Sequence, residues 1–204
     1  YINIMIDEIF KIPLYNTTLS LDTKSIRSYC LSLSKKSKGR VVSNEGGWQS
    51  EALTFSKFKY LDLSERPLKP LCDSILYHGN QFLKELEFSG EIYINNLWTN
   101  INSYRDSNEL HKHDNCLISG VYYVSTPKDS GKIIFHRPGY DTFTHEWNKA
   151  QSDYNNYNSA IWRIPPSSNT LLLFPSWLNH KVAPNMNKKE KRISISFNLS
   201  LKAI

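Results

Sequence analysis

Three histidines carry the clearest chemical signal in this sequence: His111 and His113, one residue apart, and His180 much further along. In an extended segment residues i and i+2 face the same way, so two imidazoles there can fill adjacent positions on one metal ion. The same spelling also occurs by chance on a wet loop, so the pair alone is weak. Arg192 strengthens it, standing shortly after His180 and followed by Ser194 in an Arg-x-Ser pattern. A histidine pair, a distant histidine and then an arginine is the order expected when a metal binds a keto acid and a guanidinium fork holds its far carboxylate. His78, His136 and His145 have no such spacing and read as surface or structural.

The elements that would position these residues change character along the chain. Residues Ile2–Phe10 read as a short strand, and Asp22 to about Ser34 as a helix with Asp22 or Thr23 as its cap. A second helix spans about Pro67 to Glu87, with Gly79 a point where it kinks or splits. From Gly90 onward strands dominate: Ile92–Ser103, Cys116–Ser125, Lys132–His136, Thr170–Phe174, His180–Ala183 and Arg192–Leu201, most of them separated by turn signals such as Pro127-Lys128-Asp129-Ser130-Gly131. Helices followed by a run of strands predict an α+β chain with helices on one face of an antiparallel barrel or sandwich. In the last strand Arg192, Ser194, Ser196, Asn198 and Ser200 alternate with Ile193, Ile195, Phe197, Leu199 and Leu201. Period two puts the polar set on one face. Either that face is the wet side of an edge strand, or it lines a cavity while the apolar face packs under the helices.

Bulk composition bounds the rest. At 204 residues, 40% hydrophobic and 22% charged, the chain reads as one globular unit. Its apolar runs are far too short to span a bilayer. The charged residues near the N-terminus do not fit a signal peptide, and a start at Tyr1 leaves room for a few preceding residues. Three widely spaced cysteines without a CxxC pair suit reduced thiols in a cytoplasm. The net charge of +6 is dispersed rather than gathered in a basic, aromatic-interleaved stripe, so it reads as solvated surface and not as a nucleic-acid interface.

Three segments resemble a known family: SNEGGWQS (Ser43–Ser50), HKHDNCLISGVYYV (His111–Val124), and LLLFPSWLNHKVAPN followed by RISISFN (Leu171–Asn198). They resemble the 2-oxoglutarate and Fe(II)-dependent oxygenase superfamily, in particular a bacterial and phage branch of it. The resemblance implies a double-stranded β-helix (jelly-roll, cupin-like) barrel with N-terminal helices packed on one face. It implies a single domain over residues 1–204, with 1–89 as helical support and 90–204 as the jelly-roll core. It also implies a hydroxylase that uses Fe(II), O2 and 2-oxoglutarate, releasing succinate and CO2. Carried onto this chain, His111 and His180 fill the two histidine positions of the metal triad. Arg192 pairs with the distal carboxylate of 2-oxoglutarate, with Ser194 beside it and Tyr123 as a phenol donor. Asn100 and Asn102 share a face with Trp98 on the preceding strand and are expected to line the cavity. A phage source places the protein in the host cytoplasm.

The family usually spells His-x-Asp or His-x-Glu, whereas this chain has His111-x-His113 with Asp114 one place later. Strand parity favours His113 as the third ligand. Asp114 remains an alternative through a backbone bulge, or as an outer acceptor orienting an imidazole. Two other readings compete with the main one. One is a three-histidine cupin-type dioxygenase that does not use 2-oxoglutarate; the other is a non-enzymatic jelly-roll binding module. Trp48 and Gln49 read either as a substrate-facing loop or as a tight turn with Trp48 plugging the core. Gly139–Tyr157 reads as a long surface loop near the cavity mouth, and Phe174-Pro175-Ser176-Trp177 as packing that orients His180. The substrate, a protein side chain or a small molecule, is not legible, and a homodimer is left open.

Overall fold

The computed structural model describes residues 6–54, 67–140 and 145–202. Its strands are β1 (Tyr15–Thr18), β2 (Asn44–Glu45), β3 (Trp48–Gln49), β4 (Leu53–Thr54), β5 (Ile92–Asn102), β6 (Ser107–His111), β7 (Ile118–Ser125), β8 (Ile133–His136), β9 (Ile161–Ile164), β10 (Thr170–Pro175), β11 (His180–Val182) and β12 (Arg192–Leu201). The helices are α1 (Thr23–Lys36), α2 (Lys69–Glu85) and α3 (His145–Lys149). They form two antiparallel sheets. The larger runs β1-β10-β7-β12-β5-β3 with β4 also on β5; the smaller runs β2-β6-β11-β8-β9.

The last strand shows why the chain folds this way. β12 lies in the sheet interior between β7 and β5, so the edge-strand reading fails. Its apolar set, Ile193, Ile195, Phe197 and Leu199, is fully buried in the core shared with Ile26 and Cys30 of α1 and Leu71, Ile75 and Phe82 of α2. Its polar set faces the second sheet, across a smaller core of Val121, Tyr123, Ile133, Phe135, Leu172, Phe174 and Leu178. One strand therefore separates a dry, helix-covered side from a polar, cavity-bearing side.

The helices start and run for local reasons. The Asp22 carboxylate accepts from the N–H groups of Lys24 and Ser25 at 3.0 and 3.1 Å, closing the first turn of α1. Gly79 neither kinks nor splits α2. A β-carbon there would lie 2.7 Å from both Ile92 Cδ1 and Leu199 Cδ1, so the missing side chain lets the helix sit close on the sheet. Gly120 of β7 plays the same part: a β-carbon would lie 2.3 Å from Phe197 Cζ and 2.8 Å from the Leu172 carbonyl oxygen. Gly120→Ala is accordingly expected to lower stability by about 1–3 kcal/mol, the usual cost of overpacking a filled core. Chemical denaturation reads this directly, and a variant as stable as the parent would show that Phe197 can move aside.

Several expectations are corrected. Of the anticipated strand Ile2–Phe10, residues 2–5 lie outside the described residues, and 6–10 are irregular. The first strand is Tyr15–Thr18, which pairs with Leu173–Thr170. The region before residue 90 is not only helical support, because β1 to β4 join both sheets. β6 and β9 were not anticipated at all.

Candidate metal and co-substrate site

β6 and β11 pair so that His111 stands directly across from His180. That register brings their ring centroids to 4.4 Å. The strand ends at His111, and His113 is fixed one step beyond it by its N–H donating to the Ser176 carbonyl at 3.0 Å. Its ring lies 5.1 Å from His111, 5.2 Å from His180 and 5.6 Å from Trp98. The three histidines each offer a ring nitrogen, and these ligand atoms lie within 4.8 Å of one another.

Backbone carbonyls set the tautomers. His111 Nδ1 lies 2.7 Å from the Glu109 carbonyl, and His180 Nδ1 lies 2.9 Å from that of Leu178. A carbonyl only accepts, so each Nδ1 carries the proton and each Nε2 keeps its lone pair for a metal. Burial holds all three rings neutral. It lowers His111, pushes His113 down to about 4 with the nearby His111 adding to the effect, and pushes His180 down to about 3. Phe174 packs edge-on against the His180 ring at 4.8 Å. Trp177, expected to share that work, is instead half-exposed. Ser176 supports His113 rather than His180. Asp114 does not enter the cluster: its exposed carboxylate pairs with Lys112 Nζ at 3.2 Å.

Below the histidines a cavity of about 420 Å³ opens between the sheets, lined among others by Trp98, Asn100, Tyr123, Ser194 and Arg192. Arg192 is 1% exposed. Its Nη1 donates to the carbonyls of Ser130 and of Ala183 (3.2 Å), while the buried Nη2 has no partner among the described residues. Burial brings its pKa down to about 10, with Tyr123 and Asp106 opposing, so the guanidinium stays charged at neutral pH. A buried cation without an anionic partner costs several kcal/mol, and no salt bridge reaches it among the described residues. Tyr123, opposite Ser194 in the β12–β7 register, is buried, and its phenol is pushed up to about 12 by burial, with the Arg192 charge pulling the other way.

Asn102 is not in the lining. It sits opposite Arg192 on β5, as parity requires, but lies under the Gly46-Gly47 turn. Both glycines have positive φ, +67° and +66°, and the turn links β2 in one sheet to β3 in the other. This explains the GGWQ spelling: Trp48 packs on the helix-side core and donates its indole N–H to the Ser37 carbonyl, while the buried Gln49 lines the cavity. No described residue from Gly139 to Tyr157 lines that cavity; that segment carries α3 and meets residues 7–12 elsewhere. Asn96 and Asn198 also line the cavity, joined by a 2.8 Å hydrogen bond from Asn198 Nδ2 to Asn96 Oδ1. Period-two alternation already placed Asn198 on this face; Asn96 follows only from its register opposite Asn198.

The family model described as "Putative 2OG-Fe(II) oxygenase" matches residues 96–198, half of the chain, from within β5 to within β12. The chain belongs to the 2OG-Fe(II) oxygenases. The fold agrees. The structure is similar to that of a Pseudomonas putida prolyl-4-hydroxylase, with a TM-score of 0.63 and 10% identity over 94% of each chain. It is similar to HygX from Streptomyces hygroscopicus, solved with nickel, 2-oxoglutarate and hygromycin B, with a TM-score of 0.57 and 10% identity over 94% of this chain and 84% of that one. A 2OG-Fe(II) oxygenase-family oxidoreductase from Burkholderia pseudomallei gives a TM-score of 0.51 and 17% identity over 69% of this chain, which spans 59% of that protein's length. No curated protein matches the sequence. The oxygenase is thus an α+β enzyme with a double-stranded β-helix fold, and its reaction draws on Fe(II), 2-oxoglutarate and O2. No helix of the described residues is long and apolar enough to cross a membrane.

Proposed function

We propose that this oxygenase hydroxylates a C–H bond of its substrate, with His111, His113 and His180 as the Fe(II) ligands and Arg192 as the anchor of 2-oxoglutarate. One oxygen atom of O2 enters succinate as 2-oxoglutarate loses CO2, and the other enters the product. Iron would supply the site at which 2-oxoglutarate and O2 meet. The protein's part is to hold and orient. Three neutral imidazoles leave the ion its full formal charge of +2, which favours an anionic co-substrate. The Arg192 fork takes the distal carboxylate, with Ser194 and Tyr123 as hydroxyl donors and Asn100 along the same wall. Arg192 carries the reading: a buried guanidinium with no salt bridge among the described residues, lining the same cavity as the three histidines, asks for a carboxylate there.

The proposed substrate is a small molecule or a protein side chain, the sizes admitted by a 420 Å³ cavity shared with a co-substrate. Residues 1–204 act as a single oxygenase domain, 90–204 forming its jelly-roll core. A reducing cytoplasm, that of a host cell for a phage-borne gene, suits three free cysteines, two of them buried with thiols pushed up to about 11 and about 12.

The iron-loaded protein, given 2-oxoglutarate and O2, is expected to form succinate and CO2 in equal amounts even with its own substrate absent, slowly and at a rate that a true substrate raises. The histidine in place of the usual carboxylate also favours a second reading, a three-histidine dioxygenase acting on its substrate directly. O2 uptake without succinate would establish that one and sink the first.

A further inference from the structure

We infer that Gly131 is a positioning residue for co-substrate selection: its missing side chain is what lets the Arg192 guanidinium sit where it meets the distal carboxylate. This rests on the reading of Arg192 given above. Gly131 has φ +87°, a conformation that side-chain-bearing residues seldom adopt. A β-carbon built on it would lie 2.1 Å from the Ala183 carbonyl oxygen, 2.7 Å from Arg192 Nη1 and 2.8 Å from the Pro184 carbonyl oxygen. The first two atoms already belong to one contact, because Nη1 donates to Ala183, and to Ser130 next to the glycine. Either way out of the clash, moving the carbonyl or moving the guanidinium, breaks the arrangement that leaves Nη2 free for a ligand.

The surroundings cannot yield cheaply. The Pro127–Gly131 turn is tied to the loop after β11 by Met186 N–H to the Asp129 carbonyl, Ala183 N–H to the Lys132 carbonyl and Asn187 Nδ2 to the Lys128 carbonyl. That loop is tied in turn to the end of β5 by the fully buried Asn185, whose Nδ2 donates to the Asn102 carbonyl, and whose N–H donates to the Asp106 carbonyl. Three turns thus form one backbone frame around Nη1, and of the three atoms that a β-carbon at Gly131 would meet first, the one that belongs to a side chain is Arg192 Nη1. In the sequence this glycine read merely as the end of a turn.

Calorimetry on the manganese-loaded protein tests this without turnover. Two ligands are compared: 2-oxoglutarate, and pyruvate, which keeps the 2-oxo acid head but lacks the distal carboxylate. The parent is expected to prefer 2-oxoglutarate by roughly 100-fold, in line with a buried charge pair. Gly131→Ala is expected to lose at least about tenfold of that preference through 2-oxoglutarate alone, with pyruvate affinity and manganese content unchanged. A general structural defect would instead weaken both ligands together. If Gly131→Ala does not fold, Gly131→Asn carries the test, because asparagine tolerates positive φ yet still brings the β-carbon. A folded variant that keeps the full preference overturns the role of Gly131 and leaves Arg192 as assigned. A parent with no preference, or an Arg192→Ala variant that retains it, overturns the co-substrate reading and this inference with it.

Discussion

Arg192→Ala is expected to leave the oxygenase folded and metal-loaded but nearly unable to bind 2-oxoglutarate. Removing one partner of a buried charge pair costs about 2–5 kcal/mol, or roughly 30- to 5000-fold in affinity. The effect should fall on the KM or Kd for 2-oxoglutarate rather than on metal content, because Arg192 and the histidines are held by separate parts of the frame. The turns carrying Ser130, Gly131 and Ala183 hold the arginine, whereas the β6–β11 pairing and the Ser176 contact hold the histidines. Removing the guanidinium also leaves the Ser130 and Ala183 carbonyls short of a donor, so some loss of thermal stability accompanies the change. Arg192→Lys separates charge from geometry: it keeps a cation but loses the planar fork, and should recover only part of the affinity. Titration calorimetry and 2-oxoglutarate-dependent succinate formation both read this. An Arg192→Ala protein turning over 2-oxoglutarate with the parent's KM would remove the arginine from the site.

The second large effect concerns the metal. His111→Ala, His113→Ala and His180→Ala should each yield protein carrying far less iron than one ion per chain. Losing an outer-shell partner alone lowers metal affinity by roughly 10–100-fold, and a direct ligand counts for more. Asp114→Ala should retain the metal. Its carboxylate is exposed and paired with Lys112, the type of surface contact that contributes about 0–1 kcal/mol. Metal analysis of the four purified variants decides the matter. Metal lost with Asp114→Ala and kept with His113→Ala would hand the third position to the aspartate and require the backbone to bulge after His111.

Much of this site could be read from the residues because its chemistry is local. The period-two pattern of residues 192–201 needs no knowledge of the fold to show that one face is polar, and the structure adds only that this face looks into a cavity and not into water. The HxH pair likewise carries its own geometry. The failures have a common cause in pairings between distant segments. A five-residue strand such as Ser107–His111 has too little periodicity to be seen, yet its register against β11 is what sets His111 opposite His180. Asn102 obeyed strand parity and still missed the cavity, because the Gly46-Gly47 turn from another part of the chain lies over it.

The sequence by itself determined the spacing of the histidine pair, the polar face of the last strand and the place of Arg192 on that face, because side-chain chemistry and alternation along one strand are properties of neighbours in the chain. Only the tertiary structure decided that His113 and not Asp114 turns toward the other two histidines, and that Arg192 is buried with no salt bridge among the described residues. It alone showed that a β-carbon at Gly131 would meet the Ala183 carbonyl and Arg192 Nη1. Each of these depends on which backbone carbonyl from a distant segment lies beside the residue concerned, and that is fixed by long-range strand register and loop packing rather than by any local run of residues.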